Sequence, residues 1–135
     1  MNNNYGIKWQ NSRYNILEIH FWADANWNDI LEANTRALEI ISSGSQAVVL
    51  FNDSHQYTVD HVDIGTIKDL LFNRLPRVPK NLRGVIILVS PAQKIMLETG
   101  IDTIANMKYG RKFMQVVDSY KTANALMEEK LRARG

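Results

Sequence analysis

No cysteine occurs in the 135 residues, which excludes a disulfide framework and any chemistry that needs a thiolate as nucleophile or ligand. No apolar stretch approaches the roughly 18 residues that a bilayer crossing requires. The N-terminus also lacks the basic-then-apolar order of an export signal. A dominant charge is missing too: sixteen Lys and Arg oppose fourteen Asp and Glu, for a net charge of +2. Apart from Lys130, Arg132 and Arg134 the basic residues are scattered, so nothing points to nucleic acid or a membrane surface as partner. These absences predict a soluble, cytoplasmic chain without integral membrane association, and no residue pattern asks for a cofactor.

The chain does hold enough apolar material for one core. With 45% hydrophobic residues its length suits a single domain over residues 1–135, with residues 1–4 frayed. The hydrophobic period switches repeatedly between two and 3.6. Tyr5 to Gln10 and Tyr14 to Trp22 read as strands joined by the polar turn Asn11-Ser12-Arg13. In the second strand Leu17, Ile19 and Phe21 share one face, while Glu18 and His20 point the other way toward solvent. Asp24 or Asn26 caps a helix whose stripe is Trp27, Ile30, Leu31, Leu38 and Ile41, and Gly44 is placed to end it.

Gln46 to Asn52 contains five consecutive apolar residues, Ala47 to Phe51, as expected of a central strand buried on both faces. A helix from about His61 to Leu75 follows a polar loop and stops before Pro76 and Pro79. Gly84 to Val89 is the next central strand, and Ser90-Pro91 opens a helix through about Thr99. Gly100 is expected to break or bend that helix before a second piece, Ile101 to Lys108. Lys112 to Val117 is the last strand, and Asp118 or Ser119 caps a final helix bearing Ala123, Leu126, Met127 and Leu131. The order predicts an α/β fold: a mixed five-stranded sheet with an antiparallel edge strand and about four helices.

That order, together with Val59-Asp60-His61-Val62-Asp63-Ile64-Gly65 after the central strand, resembles the anti-sigma-factor antagonist (STAS) fold and its divergent SpoIIAA-like relatives. The run Phe113 to Ser119 leading into Ala123 and Leu126 is similar to the end of those relatives. In the family this loop reads apolar, Asp, Ser, Ser, small, apolar, Gly, and the second Ser accepts phosphate. Here Asp60, the apolar residues and Gly65 match, but Val62 stands at the phosphoacceptor position and offers no hydroxyl. The resemblance implies a non-enzymatic regulatory domain that docks a protein partner through Asp53, His55, Asp60, His61, Val62, Asp63 and Ile64. The relatives' similarity to CRAL-TRIO lipid-transfer domains implies the alternative of a small apolar-ligand or lipid site, lined by residues such as Ile95, Met96 and Ile104.

The residues leave other chemistries open. Asp53, His55, Asp60, His61 and Asp63 carry carboxylates and imidazoles of the type that bind zinc, which would make the chain a metal-dependent enzyme. Their spacing matches no compact ligand motif, and they read first as a solvated loop that caps the next helix. A receiver-like phosphoryl transfer at Asp53 and Ser90 would want a lysine after the last strand. Asp118 stands there instead. No nucleophile elbow or glycine-rich phosphate loop occurs. Ile95, Met96, Leu97, Ile101, Ile104 and Met107 exceed one helical face unless the element bends, so some of them are expected to line a groove or to fill ordinary core. Trp9, Trp22 and Trp27 are expected first to bury part of the sheet, with an aromatic patch near the hairpin and first helix as the alternative. An exposed sheet edge offers a route to homodimers.

Overall fold

Three β-α-β crossovers of one hand decide the layers. The computed structural model describes residues 4–10, 15–55 and 64–132. The strands are β1 (Tyr5–Trp9), β2 (Ile16–Phe21), β3 (Val48–Asp53), β4 (Leu82–Leu88) and β5 (Met114–Val117). Helices are α1 (Trp27–Ser42), α2 (Ile64–Asp69), which runs on into a π-helical turn at Leu70–Arg74, α3 (Pro91–Tyr109) and α4 (Tyr120–Arg132). Spatial strand order equals chain order. β1 is antiparallel to β2, and the other pairs are parallel. The fold is thus the mixed α/β sheet with an antiparallel edge that the sequence pattern predicts. The Asn11-Ser12-Arg13 turn lies outside the described residues.

With strands laid down in one direction, right-handed crossovers put α1, α2 and α3 on the same face. The larger core forms there, where Leu17, Ile19, Val48, Leu50 and Val85 meet Ala33, Ala37, Leu71, Leu97 and Ile101. Among the described residues only α4, which closes no crossover, covers the other face, packing Ala123 and Met127 on Val49, Phe51, Ile86 and Leu88. All six residues of β3 are buried, as its central place demands. Alternation sends Val48, Leu50 and Asn52 to the larger core and Val49, Phe51 and Asp53 to the α4 side.

Local signals act where packing permits. Asn26, not Asp24, caps α1: its Oδ1 accepts from the Asp29 N–H at 3.0 Å, and Asp29 Oδ2 accepts from the Asn26 N–H at 2.9 Å. This reciprocal box is worth about 1 kcal/mol. Ala33 and Ala37, both fully buried, let the helix approach the sheet closely. At its other end Ser43 is the C-cap in ordinary right-handed geometry, so Gly44 does not supply a left-handed stop. Asn81 ties that end to β4, its Nδ2 donating to the Ile41 and Gln46 carbonyls at 2.9 Å each.

Helix α3 departs from the expected break. It runs unbroken from Pro91 to Tyr109, and its buried stripe is Gln93, Leu97, Gly100, Ile101, Ile104 and Ala105. Gly100 lies on that buried stripe, and the flanking turns keep the helix intact. The surplus of apolar residues is resolved by exposure. Ile95 is 82% exposed and Met107 72%, with Met96 also in solvent, whereas Ile104 is buried. Ile104→Ala is therefore expected to cost about 2–5 kcal/mol, and Ile95→Ser to change stability by less than about 0.5 kcal/mol. Denaturant unfolding of the two variants checks the helix orientation, and comparable losses would contradict it.

Candidate functional site

The C-terminal ends of parallel strands are where open α/β sheets hold ligands, and here two neighbouring residues of β3 lead to opposite faces. On the α4 face, Asp53 has a buried carboxylate surrounded by three side chains. His55 Nδ1 lies 2.5 Å from Asp53 Oδ1, and the Tyr120 hydroxyl donates to Oδ2 at 2.6 Å. His20 Nδ1 stands 3.3 Å from the same oxygen. The register of β2 on β3 pairs His20 with Asp53 directly, and Tyr120 arrives as the first residue of α4. The rings of Trp22, His20, His55 and Tyr120 then follow one another edge-on, with centroids 5.0, 5.9 and 5.5 Å apart.

An ionised carboxylate only accepts hydrogen bonds, so the His55 Nδ1 that faces Asp53 Oδ1 carries a proton. Burial alone would raise the Asp53 carboxyl, but the donors His55 and Tyr120 overcome it and hold the group below its ordinary 3.8. Tyr120, partly desolvated and beside that carboxylate, has its phenol pushed well above 10.0. Asp53 is thereby placed to orient His55 and Tyr120. Among the described residues no group of three or more His, Cys, Asp or Glu is arranged to hold a metal ion.

The other face carries a cavity of about 110 Å³ between the sheet and α1, the π turn and α3. Phe21, Leu50, Leu71, Leu97 and Ile101 are among its walls, and no charged side chain lines it among the described residues. Its polar contributions come from Asn34, Asn52, Ser54, Gln93 and Tyr109. Burial holds the Tyr109 phenol above 10.0, so it too is neutral. The Asn34 amide donates to the Ile30 carbonyl at 2.8 Å. Asn52 and Ser54 are both buried, and among the described residues nothing hydrogen-bonds to either side chain. The π turn forms one wall. Lys108 fastens it to α3 by donating Nζ to the Leu71 carbonyl, while its ammonium lies 5.4 Å from the Phe72 ring and 5.1 Å from the Tyr109 ring.

Of the residues proposed from sequence, the structure brings Asp53 and His55 together. Asp60, His61, Val62 and Asp63 lie outside the described residues, and Ile64 opens α2. Ile95, Met96 and Ile104 do not line the cavity; Leu97 and Ile101 of the same helix do. His20, expected to face solvent, is drawn to Asp53 instead. Glu18 on the same strand face is buried, with Gln10 Nε2 donating to it at 2.9 Å. Trp22 stays 43% exposed, whereas Trp9 and Trp27 pack against the core. The sequence reading missed His20 and Tyr120 as site residues, because strand register and the approach of α4 assemble them beside Trp22, which the sequence offers only as part of an aromatic patch. It missed Asn52 although a signal was present: a polar residue ending an otherwise apolar central strand.

Compared with protein-family models, with curated proteins and with solved structures, the chain matches none.

The depressed Asp53 carboxyl sets a sign for pH dependence. A folded value below the unfolded one contributes stability that is complete above about 3.8 and is lost as pH falls through the lowered folded value. Tyr120→Phe removes one donor and is expected to cost about 1–2 kcal/mol near neutral pH. It should also move the acid-unfolding midpoint to higher pH. Circular dichroism across an acid titration tests this, and an unmoved midpoint would show that the Tyr120 bond contributes nothing.

Proposed function

We propose that this domain is a non-enzymatic binding module whose ligand is a small, largely apolar molecule held between the sheet and helices α1 and α3. The observation that carries the reading is the apolar cavity with an unpartnered amide and hydroxyl in its wall, the combination expected of a binding pocket. Ordinary cores are packed to crystal-like density and seldom leave such a space beside polar groups. Cavities of roughly 150 Å³ admit benzene, so the portion held inside is of that size or smaller. The π turn supports the reading, because such turns recur at functional sites.

A second reading is a protein-docking role of the SpoIIAA-like kind, resting on a separate observation. Trp22 and Tyr120, 43% and 48% exposed, flank His20 and His55 at one sheet end, and exposed aromatic residues are favoured as interface anchors. Under this reading Trp22→Ala and Tyr120→Ala each weaken partner capture by about tenfold or more. Retention of capture by both folded variants would remove that patch from the interface.

For the ligand reading, cyclopentane or benzene near saturation should raise the unfolding midpoint. Ligand at a hundredfold excess over its dissociation constant adds about 2.7 kcal/mol. Leu97→Phe, which fills the cavity, should abolish the effect while the chain stays folded. Equal stabilisation of the filled variant would place binding elsewhere.

A further inference from the structure

We infer that the ligand is an uncharged molecule whose apolar body fills the cavity and whose amide, lactam or hydroxyl group pairs with Asn52. This rests on the ligand-binding reading above and specifies its chemistry. The first half follows from charge. Among the described residues the lining holds no Lys, Arg, His, Asp or Glu. A carboxylate, phosphate or ammonium group entering there would lose its hydration and meet no counter-ion among these lining residues. Fatty-acid anions, phosphorylated headgroups and amines therefore fit poorly, whatever the length of their chains.

The second half follows from Asn52. Other asparagines of the fold are engaged by it: Asn34 bonds the Ile30 carbonyl, and Asn81 bonds those of Ile41 and Gln46. Asn52 is 5% exposed, lines the cavity and has no partner among the described residues. Its amide offers one accepting oxygen and an N–H donor pair, and its complement is a group that donates and accepts at once. Ser54, two residues along the same strand direction, lines the same wall and adds a hydroxyl that can take either role. Both stand at the C-terminal end of β3. The aliphatic walls receive the rest of the ligand.

The test is a matched series added to the full chain: valeramide, pentan-1-ol, valerate, pentylammonium and cyclopentane. Binding is followed by amide chemical shifts of Leu50, Leu71 and Leu97. Valeramide is expected to bind about tenfold or more tighter than valerate and pentylammonium. Asn52→Leu should weaken valeramide by about tenfold and leave cyclopentane unchanged; Asn52→Ser is the second variant should the first not fold. Valerate or pentylammonium binding as tightly as valeramide would overturn the inference. So would a folded variant that keeps full affinity for valeramide. In either case cyclopentane binding at the lining would leave the ligand-binding reading standing. If no member of the series, cyclopentane included, shifts the lining residues, that reading falls together with the inference.

Discussion

Everything at the candidate sites depends on β3 being paired on both edges and covered on both faces. Such a strand alternates strictly, because a slip of one residue would exchange its entire set of side chains between the two cores. Val48 and Leu50 are committed to one core and Val49 and Phe51 to the other. Asn52 and Asp53, adjacent in the chain, are thereby delivered to opposite sides of the sheet. One becomes the polar point of an apolar cavity, and the other becomes the buried acceptor of an aromatic and imidazole cluster. A single backbone constraint builds two chemically different environments a few ångströms apart in sequence space and a sheet's thickness apart in the molecule.

The faces differ because their cover differs. Three crossovers of the same hand crowd α1, α2 and α3 onto one face, and α2 itself is only six residues long before it tightens into a π turn. Helices of unequal length laid on a twisted sheet do not close uniformly, and the cavity sits where the π turn, α1 and α3 meet. Lys108 restrains that wall through a carbonyl and two aromatic rings, which gives the π turn an anchor outside its own backbone. On the opposite face α4 alone covers the strands, leaving His20, His55 and Trp22 at a partly solvated rim. The Asp53 carboxylate stays ionised there because donors surround it, despite its burial.

Much of the architecture was legible from residue pattern. The switch from period two to period 3.6 located the strands and, apart from the split expected within α3, the helices, and the five apolar residues ending in Phe51 marked the central strand. Asn26 and Ser90-Pro91 marked helix starts. Where the pattern misled, competing packing explains it. Gly100 looked like a break, yet it falls on the buried stripe of α3 and the helix gains more by staying straight against the sheet. Ile95, Met96 and Ile104 looked like a lining because apolar residues are assumed to face inward, but Ile95 and Met96 are exposed, Ile104 is ordinary core, and Leu97 and Ile101 line the cavity.

What the amino-acid sequence determined by itself was the succession of elements, the identity of the central strand and the absence of thiol chemistry or a bilayer-length helix, since these follow from local composition and periodicity. The tertiary structure alone decided which chemical groups meet. Asp53 and His20 come together through strand register although they lie far apart in the chain, and Tyr120 reaches Asp53 from 67 residues away. The cavity beside Asn52 exists only because three helices share one face. Distances of this kind are properties of packing between elements, and no local pattern in the chain encodes them.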